Sequence, residues 1–254
     1  MRILLSNDDG IHAPGLAVLE RLAHTLSDDV TVVAPIDEQS GKGRSLTLTE
    51  PVRLRQFGEK RWAVTGTPTD AVMIALAEIM KDAKPDLILS GVNRGANLGE
   101  DVSYSGTVAA AMEGAHAGIP SIALSQCYAS RSASDDVIFQ AAEAWGERVL
   151  RALIETPFAP QTVVNVNFPP VAADAVQGVR VVAQGLRDYG QLQLDRRTDP
   201  RGGEYYWLRH GRIAHTPAEA TDLEAIGLGY ISVTPLHLDL THRASLAMLT
   251  ERFR

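Results

Sequence analysis

Apolar residues fall in short blocks separated by polar loops, and the spacing inside the blocks changes along the chain. Residues 3–5 are a continuous apolar run of strand length, whereas Leu16, Leu19, Leu22, Ala23 and Leu26 recur at helical spacing. This predicts strand, loop, helix. Residues 30–34 (VTVVA) predict a second buried strand closed by Pro35, and residues 46–55 and 62–65 alternate openly, as strands with one solvated side or a hairpin do. TPTD at 67–70 opens a helix to about Lys81, with Thr67 as N-cap and Pro68 in the first position. Residues 86–90 (DLILS) predict a strand, 107–117 a small-residue helix, 121–124 (SIAL) a strand and 137–153 an amphipathic helix. Strands alternating with helices predict a right-handed parallel α/β sheet.

Beyond residue 160 the pattern changes. Residues 163–166, 179–182 and 230–233 predict further strands and 246–253 a short terminal helix. Between them, residues 185–210 are polar, contain DPRGG and then Tyr205, Tyr206 and Trp207, and predict a protruding hairpin. The expected organisation is one domain over 1–254, with an α/β core over 1–185 and a hairpin arm and C-terminal segment over 186–254.

In an open parallel sheet, ligands bind outside the carboxyl ends of the strands, where the strand-to-helix loops emerge. The polar motifs obey this: SNDDGIHAPG follows the first strand, PIDEQSGKGRS the second, GVNRGANLGEDVSYSGT the DLILS strand and SQC the SIAL strand. The opposite connections are ordinary turns. One edge therefore collects Asp8, Asp9, Ser40, Asn93, Asn97 and the step Ser105, Gly106, Thr107. Adjacent carboxylates repel, and a cation removes that repulsion while using both. Oxygen donors from Asp, Ser and Asn suit Mg²⁺, Mn²⁺ or Ca²⁺ rather than structural zinc. The helix start after Ser105 offers unpaired N–H groups and a positive dipole end, suited to a phosphate or simply capped. His12 offers a proton donor or a turn element.

Composition narrows the classes. A chain of 254 residues buries roughly 70–75% of its unfolded surface, and 45% hydrophobic with 22% charged residues excludes the disordered class for most of it. The net charge of −7, with no basic cluster longer than Arg196-Arg197, argues against a nucleic-acid polymer as partner. No apolar stretch approaches a ~20-residue membrane span, and a single cysteine, Cys127, agrees with a reducing compartment. The expectation is a cytoplasmic protein. Neither G-x-G-x-x-G, a complete P-loop nor a G-x-S-x-G elbow occurs, which disfavours dinucleotide cofactors and serine hydrolases.

The stretches MRILLSNDDGIHAPGL, VVAP…QSG…SLTL, GTPTDAV, SGVNRGANLGEDVSYSGTVAAAMEGAHAGIPSIALS and GYISVTPLHLDLT together closely resemble the SurE family of metal-dependent 5′-nucleotidases. The likeness thins over about 126–160 and 186–215. It implies a Rossmann-like core and one divalent metal ion per subunit, Mg²⁺ or Mn²⁺, held by Asp8, Asp9, Ser40 and Asn93. It further implies phosphate removal from nucleoside 5′-monophosphates, with 3′-nucleotides and short polyphosphate as side substrates. A homodimer or homotetramer exchanging the hairpin and C-terminal segment is implied as well. In this expectation Asp8 and Asp9 are catalytic through the metal, and Asn97, Ser105, Gly106 and Thr107 bind phosphate. Two rivals stand beside it: a phosphatase working through an aspartyl-phosphate, whose usual D-x-D spacing differs from the adjacent pair here, and a non-catalytic metal-dependent nucleotide-binding module.

Overall fold

The computed structural model describes residues 1–130, 132–187, 192–210 and 216–254. The elements up to the middle of the chain are β1 (Arg2–Ser6), α1 (Pro14–His24), β2 (Asp29–Pro35), β3 (Leu54–Gly58), β4 (Arg61–Val64), α2 (Pro68–Ile74), β5 (Leu87–Arg94), α3 (Gly106–His116) and β6 (Ser121–Gln126). There follow α4 (Asp135–Ile138), α5 (Gln140–Ile154), β7 (Thr162–Phe168), β8 (Val179–Val181), β9 (Leu192–Thr198), β10 (Glu204–His210), α6 (Asp222–Gly227), β11 (Ile231–His237) and α7 (Arg243–Arg252).

Side chains on a strand alternate between the two faces of its sheet. In β1, Ile3 and Leu5 join one apolar cluster and Leu4 the other, all fully buried. Val32 and Val33 of β2 divide in the same way, as do Leu89 and Ile88 of β5. Strands buried on both faces have no polar side, so their sequences read as continuous apolar runs. Leu16, Leu19 and Leu22 of α1 and Val149 and Leu150 of α5 cover one face, and Ala71 and Val72 of α2 with Ala110 of α3 cover the other. Each of the large aliphatic side chains buried this way contributes roughly 1.5–3 kcal/mol.

The main sheet is nine-stranded, in the order β3-β4-β2-β1-β5-β6-β7-β11-β8. From β4 to β7 all neighbours are parallel, as the alternation of strands and helices predicts. The flanks are mixed. β3 pairs antiparallel with β4 because only a tight turn joins them, and β11 pairs antiparallel with β7. β11 comes from the 186–254 stretch yet lies inside the main sheet.

Other differences are local. Residues 46–53 form no strand: Leu46 and Leu48 are exposed, so the alternation there has no sheet to bury one face against. The helix expected over 68–81 is α-helical to Ile74 and widens into a π turn over Ala75–Ile79. β5 runs past the expected strand to Arg94, with a register shift against β6 between Ser90 and Asn93. The expected hairpin is β9 and β10, a separate two-stranded sheet, and part of its span, 188–191, lies outside the described residues. Helix α6 was not expected from periodicity, although Thr221 and Glu224 carry a T-x-x-E start signal and the Thr221 side chain caps the Glu224 N–H.

α2 begins where the sequence places it, with Pro68 in its first turn and a capping box. The Asp70 carboxylate accepts from the Thr67 N–H at 2.8 Å, and the Thr67 hydroxyl accepts from the Asp70 N–H at 3.2 Å. The same carboxylate accepts from the Thr47 hydroxyl at 2.6 Å and N–H at 3.2 Å. Burial pushes the Asp70 pKa upward, but the hydrogen bonds from Thr47 and Thr67 outweigh it and hold the group below the usual carboxylate value. Asp70→Ala is expected to cost about 1–3 kcal/mol in urea unfolding at neutral pH. Because the folded pKa is depressed, this contribution is present above the unfolded value near about 4 and is lost as pH falls through the folded value. The gap between wild type and variant should therefore close in acid.

Candidate active site

β1 ends at Ser6, and the chain turns at once. The Asn7 amide donates to the Gly10 carbonyl at 2.9 Å, and Gly10 takes φ +101°, a conformation that side chains disfavour. The Asp8 carbonyl accepts from the Gln39 N–H at 2.7 Å, which ties this turn to the loop after β2. Asp8 is thereby held at the carboxyl edge of the sheet with only 4% of its surface exposed.

What meets Asp8 there is the beginning of α3. The Thr107 hydroxyl donates to an Asp8 carboxylate oxygen, and the backbone N–H groups of Gly106 and Thr107 also hydrogen-bond to Asp8. This approach requires glycine at 106: a Cβ there would stand 2.7 Å from Asp8 Cβ. Ser105 caps the helix, its hydroxyl accepting from the Val108 N–H at 3.0 Å. The helix N-terminus read from the sequence as a phosphate cradle thus also faces a carboxylate of the protein itself. Negative charge at that end is favoured by the helix dipole.

Asp9 is less buried, and its carboxylate accepts from the Arg94 N–H at 3.1 Å. Burial, then the neighbouring Asp8 charge, pushes the Asp9 carboxyl up to about 6. Burial also raises Asp8, against the opposing hydrogen bonds from Thr107 and Gly106. Burial is thus the leading cause of both shifts, and the like charge of a neighbour adds to it at Asp9.

Ser40, on the exposed loop after β2, lines one cleft together with Asp9 and Arg94, and its hydroxyl donates to Glu38 at 2.8 Å. Asn93 lies at the end of β5, next to Arg94. Its amide nitrogen donates to the Gly95 carbonyl at 3.0 Å, and its side-chain oxygen is the atom suited to ligate a cation. The structure therefore brings Asp8, Asp9, Ser40 and Asn93 to the ends of the adjacent strands β2, β1 and β5. Among the described residues no group of three or more His, Cys, Asp or Glu side chains is placed to hold a metal ion. A cation at this edge would draw on two carboxylates plus hydroxyl and amide oxygens, the hard donor set of Mg²⁺ or Mn²⁺.

Asn97 stands apart from this set. It is buried, and its amide donates to the Ser125 hydroxyl at 2.8 Å. Its backbone N–H donates to the Asn167 side-chain oxygen at 2.8 Å, and its carbonyl accepts from Asn165 at 2.8 Å and Asn167 at 3.1 Å. Its contacts anchor the loop after β5. Asp222 does the same further along, accepting from the Gly99 N–H at 2.9 Å and the Gly185 N–H at 2.8 Å. Asn165, Asn167 and Asp222 are not among the residues expected at this edge. N-V-N within a strand, with amides on one face, was the available signal for the first two. His12 is exposed and meets Phe57 edge-on, with ring centroids 5.4 Å apart.

Fold and site define an α/β protein with an acidic, oxygen-donor centre at the carboxyl edge of a mostly parallel sheet. The model of the Survival protein SurE family matches residues 3–191. Proteins named 5′-nucleotidase SurE are similar along the whole chain: that of Rhizorhabdus wittichii is 66% identical over 254 residues, and that of Erythrobacter litoralis 58% over 253, each covering 100% of both chains. The crystal structure of the SurE protein from Aquifex aeolicus has a TM-score of 0.85 at 37% identity and covers 100% of both chains. The chain belongs to the SurE family.

In metal-free protein, the raised Asp9 pKa has a defined effect on stability. Between the unfolded value near about 4 and the folded value of about 6 the folded state keeps a proton that the unfolded state has lost, so stability falls as pH rises through this window. Thermal melts in EDTA are expected to show this decline for wild type and a weaker one for Asp9→Asn. Adding Mg²⁺ or Mn²⁺ above about pH 6 should restore the melting temperature of wild type, because bound metal favours the ionised pair.

Proposed function

We propose that the protein is a divalent-metal-dependent phosphomonoesterase that hydrolyses nucleoside 5′-monophosphates to nucleoside and phosphate. The observation that carries this is the adjacent pair of buried Asp8 and half-buried Asp9, both carboxyl pKa values raised, with Asp8 set against the start of α3 at Gly106 and Thr107. The relatives named 5′-nucleotidase SurE, matched over the full chain, support the same activity. 3′-Nucleotides and short polyphosphate are proposed as further substrates. Asp8, Asp9, Ser40 and Asn93 would hold one Mg²⁺ or Mn²⁺ per subunit, and Ser105, Gly106 and Thr107 would form the phosphate side, with Asn97 anchoring the loop that leads to them.

When bound, such a cation supplies Lewis acidity toward phosphoryl oxygens and acidifies coordinated water. The chain supplies the remainder. The Thr107 hydroxyl and the amides at the helix start orient Asp8 and lower the cost of its negative charge. The Arg94 N–H does the same for Asp9. Ser40 and Asn93 add neutral oxygens without further repulsion. The positive end of α3, beside Asp8, would favour the negative charge of a phosphate brought to this edge. An aspartyl-phosphate route is not favoured, since the two acids are adjacent rather than spaced D-x-D and the full-length relatives are named 5′-nucleotidase SurE.

We further propose a cytoplasmic homodimer or homotetramer, with the site on the main sheet, which β11 of the 186–254 stretch also joins, and with the β9–β10 hairpin and α7 serving assembly. Tyr206, Trp207 and Leu208 on β10 and Leu249 and Phe253 at the C-terminus are at least half exposed, and α7 buries none of its residues. Large apolar groups gathered on projecting elements suit burial against another copy. No described helix is long and apolar enough to cross a membrane.

Phosphate release from a panel of nucleoside monophosphates, with Mg²⁺, Mn²⁺ or EDTA, tests the activity. Asp8→Asn and Asp9→Asn are each expected to lower turnover on the order of 10²-fold or more while the protein remains folded. Thr107→Val, which removes only the hydroxyl bonded to Asp8, should weaken metal affinity roughly tenfold to a hundredfold. A folded Asp8→Asn enzyme with wild-type turnover, or no release from any substrate, would sink the proposal. For assembly, light scattering after size exclusion should show a smaller species for Trp207→Lys combined with Phe253→Lys.

A further inference from the structure

The cleft beside Asp9 has a volume of about 500 Å³, within the roughly 300–1,000 Å³ usual for small-molecule sites. Its lining is of two kinds. Asp9, Glu38 and Ser40 are polar and come from the loops after β1 and β2, whereas Tyr128 and Phe139 are aromatic and come from the connection between β6 and α5. The strand order β2-β1-β5-β6 puts Arg94, at the end of β5, between the two groups. Phe139 is buried against Gly15 at the start of α1, so Tyr128 is the aromatic group open to the cleft, carried by β6, which lies two strands, roughly 10 Å, from β1. A phosphate at the acidic edge therefore has room for a bulky organic substituent, and the far part of that substituent meets a ring.

Tyr128 is partly exposed and packs at the margin of the larger apolar cluster while lining the cleft. The Arg94 guanidinium stands 6.0 Å from the ring centroid and reaches Asp135 at 3.5 Å. Its backbone N–H meanwhile holds Asp9. Arg94 thus links the acidic edge to the segment carrying Tyr128. A hydrocarbon wall would accept any apolar leaving group, but a tyrosine ring with a guanidinium beside it favours a flat, polarisable one, as aromatic side chains do when they stack on nucleobases.

We propose that Tyr128 receives the base of a nucleoside monophosphate and is the residue that distinguishes nucleotides from other phosphate esters, with Arg94 holding the ring in position. This rests on the nucleotidase activity proposed above.

The test compares a nucleoside 5′-monophosphate with ribose 5-phosphate, which keeps the sugar and ester but lacks the base. Tyr128→Leu should raise KM for the nucleotide about tenfold with kcat nearly unchanged, and leave ribose 5-phosphate unaffected. Tyr128→Phe should keep wild-type values for both. Equal changes for the two substrates, or none for the nucleotide, overturn the assignment. If Tyr128→Leu does not fold, Tyr128→Trp keeps an aromatic group and adds a reporter. The introduced indole should be quenched by nucleoside alone and not by ribose, and an unquenched indole overturns the assignment. If wild type hydrolyses neither phosphate ester, the nucleotidase reading has failed, while quenching by nucleoside still decides the role of Tyr128.

Discussion

The contact between the Asp8 carboxylate and the first residues of α3 is the constraint on which the arrangement of the site depends. A carboxylate this deeply buried is costly, and burial indeed raises its pKa. The Thr107 hydroxyl and the amides at the helix start offset that cost locally, and the glycine at 106 lets the helix come close enough to do so. One interaction therefore sets the position of α3 against β1, keeps a negative group at the sheet edge and presents the positive helix end to the same space. Asp9 has fewer such partners. Burial, with the Asp8 charge beside it, pushes its carboxyl up to about 6.

Around this contact the loop after β5 is held by polar groups that do no chemistry. Asn165 and Asn167 of β7 bind both backbone groups of Asn97, and Asp222 at the start of α6 binds the Gly99 N–H. Buried polar groups of this kind stabilise only when their partners are in place, which makes them specific. Here they lock a loop rich in glycine, whose freedom would otherwise blur the position of Asn93. Asp222 also binds the Gly185 N–H, and the Arg187 N–H donates to both Glu100 carboxylate oxygens at 2.9 Å. The root of the projecting arm is thereby fastened to the loop that leads into α3. Assembly through the arm would bear directly on the order of the site.

Much of this was legible in the residues. Continuous apolar runs marked β1, β2, β5 and β6 because strands covered on both faces need apolar side chains throughout. Thr67, Pro68 and Asp70 marked the start of α2 because capping is a local interaction between residues three apart. The gathering of SNDDG, the Ser40 loop and the Asn93 stretch on one edge followed from strand polarity alone. Where the pattern misled, the missing information was a neighbour: residues 46–53 alternate like a strand but have no strand to pair with, and β11 reads as one more strand without revealing that it runs antiparallel beside β7.

By itself, then, the sequence determined the alternation of elements and the edge where polar chemistry collects, since each of these depends on residues close together in the chain. Tertiary structure alone decided that the α3 start faces Asp8, that Asn97 serves as an anchor for its loop, and that Tyr128 and Arg94 meet beside Asp9. Those pairs are separated by tens of residues or more, and their meeting is set by strand order and by how closely helix and sheet pack. No local spacing encodes that distance, and the small size of Gly106 acquires its meaning only when Asp8 is found against it.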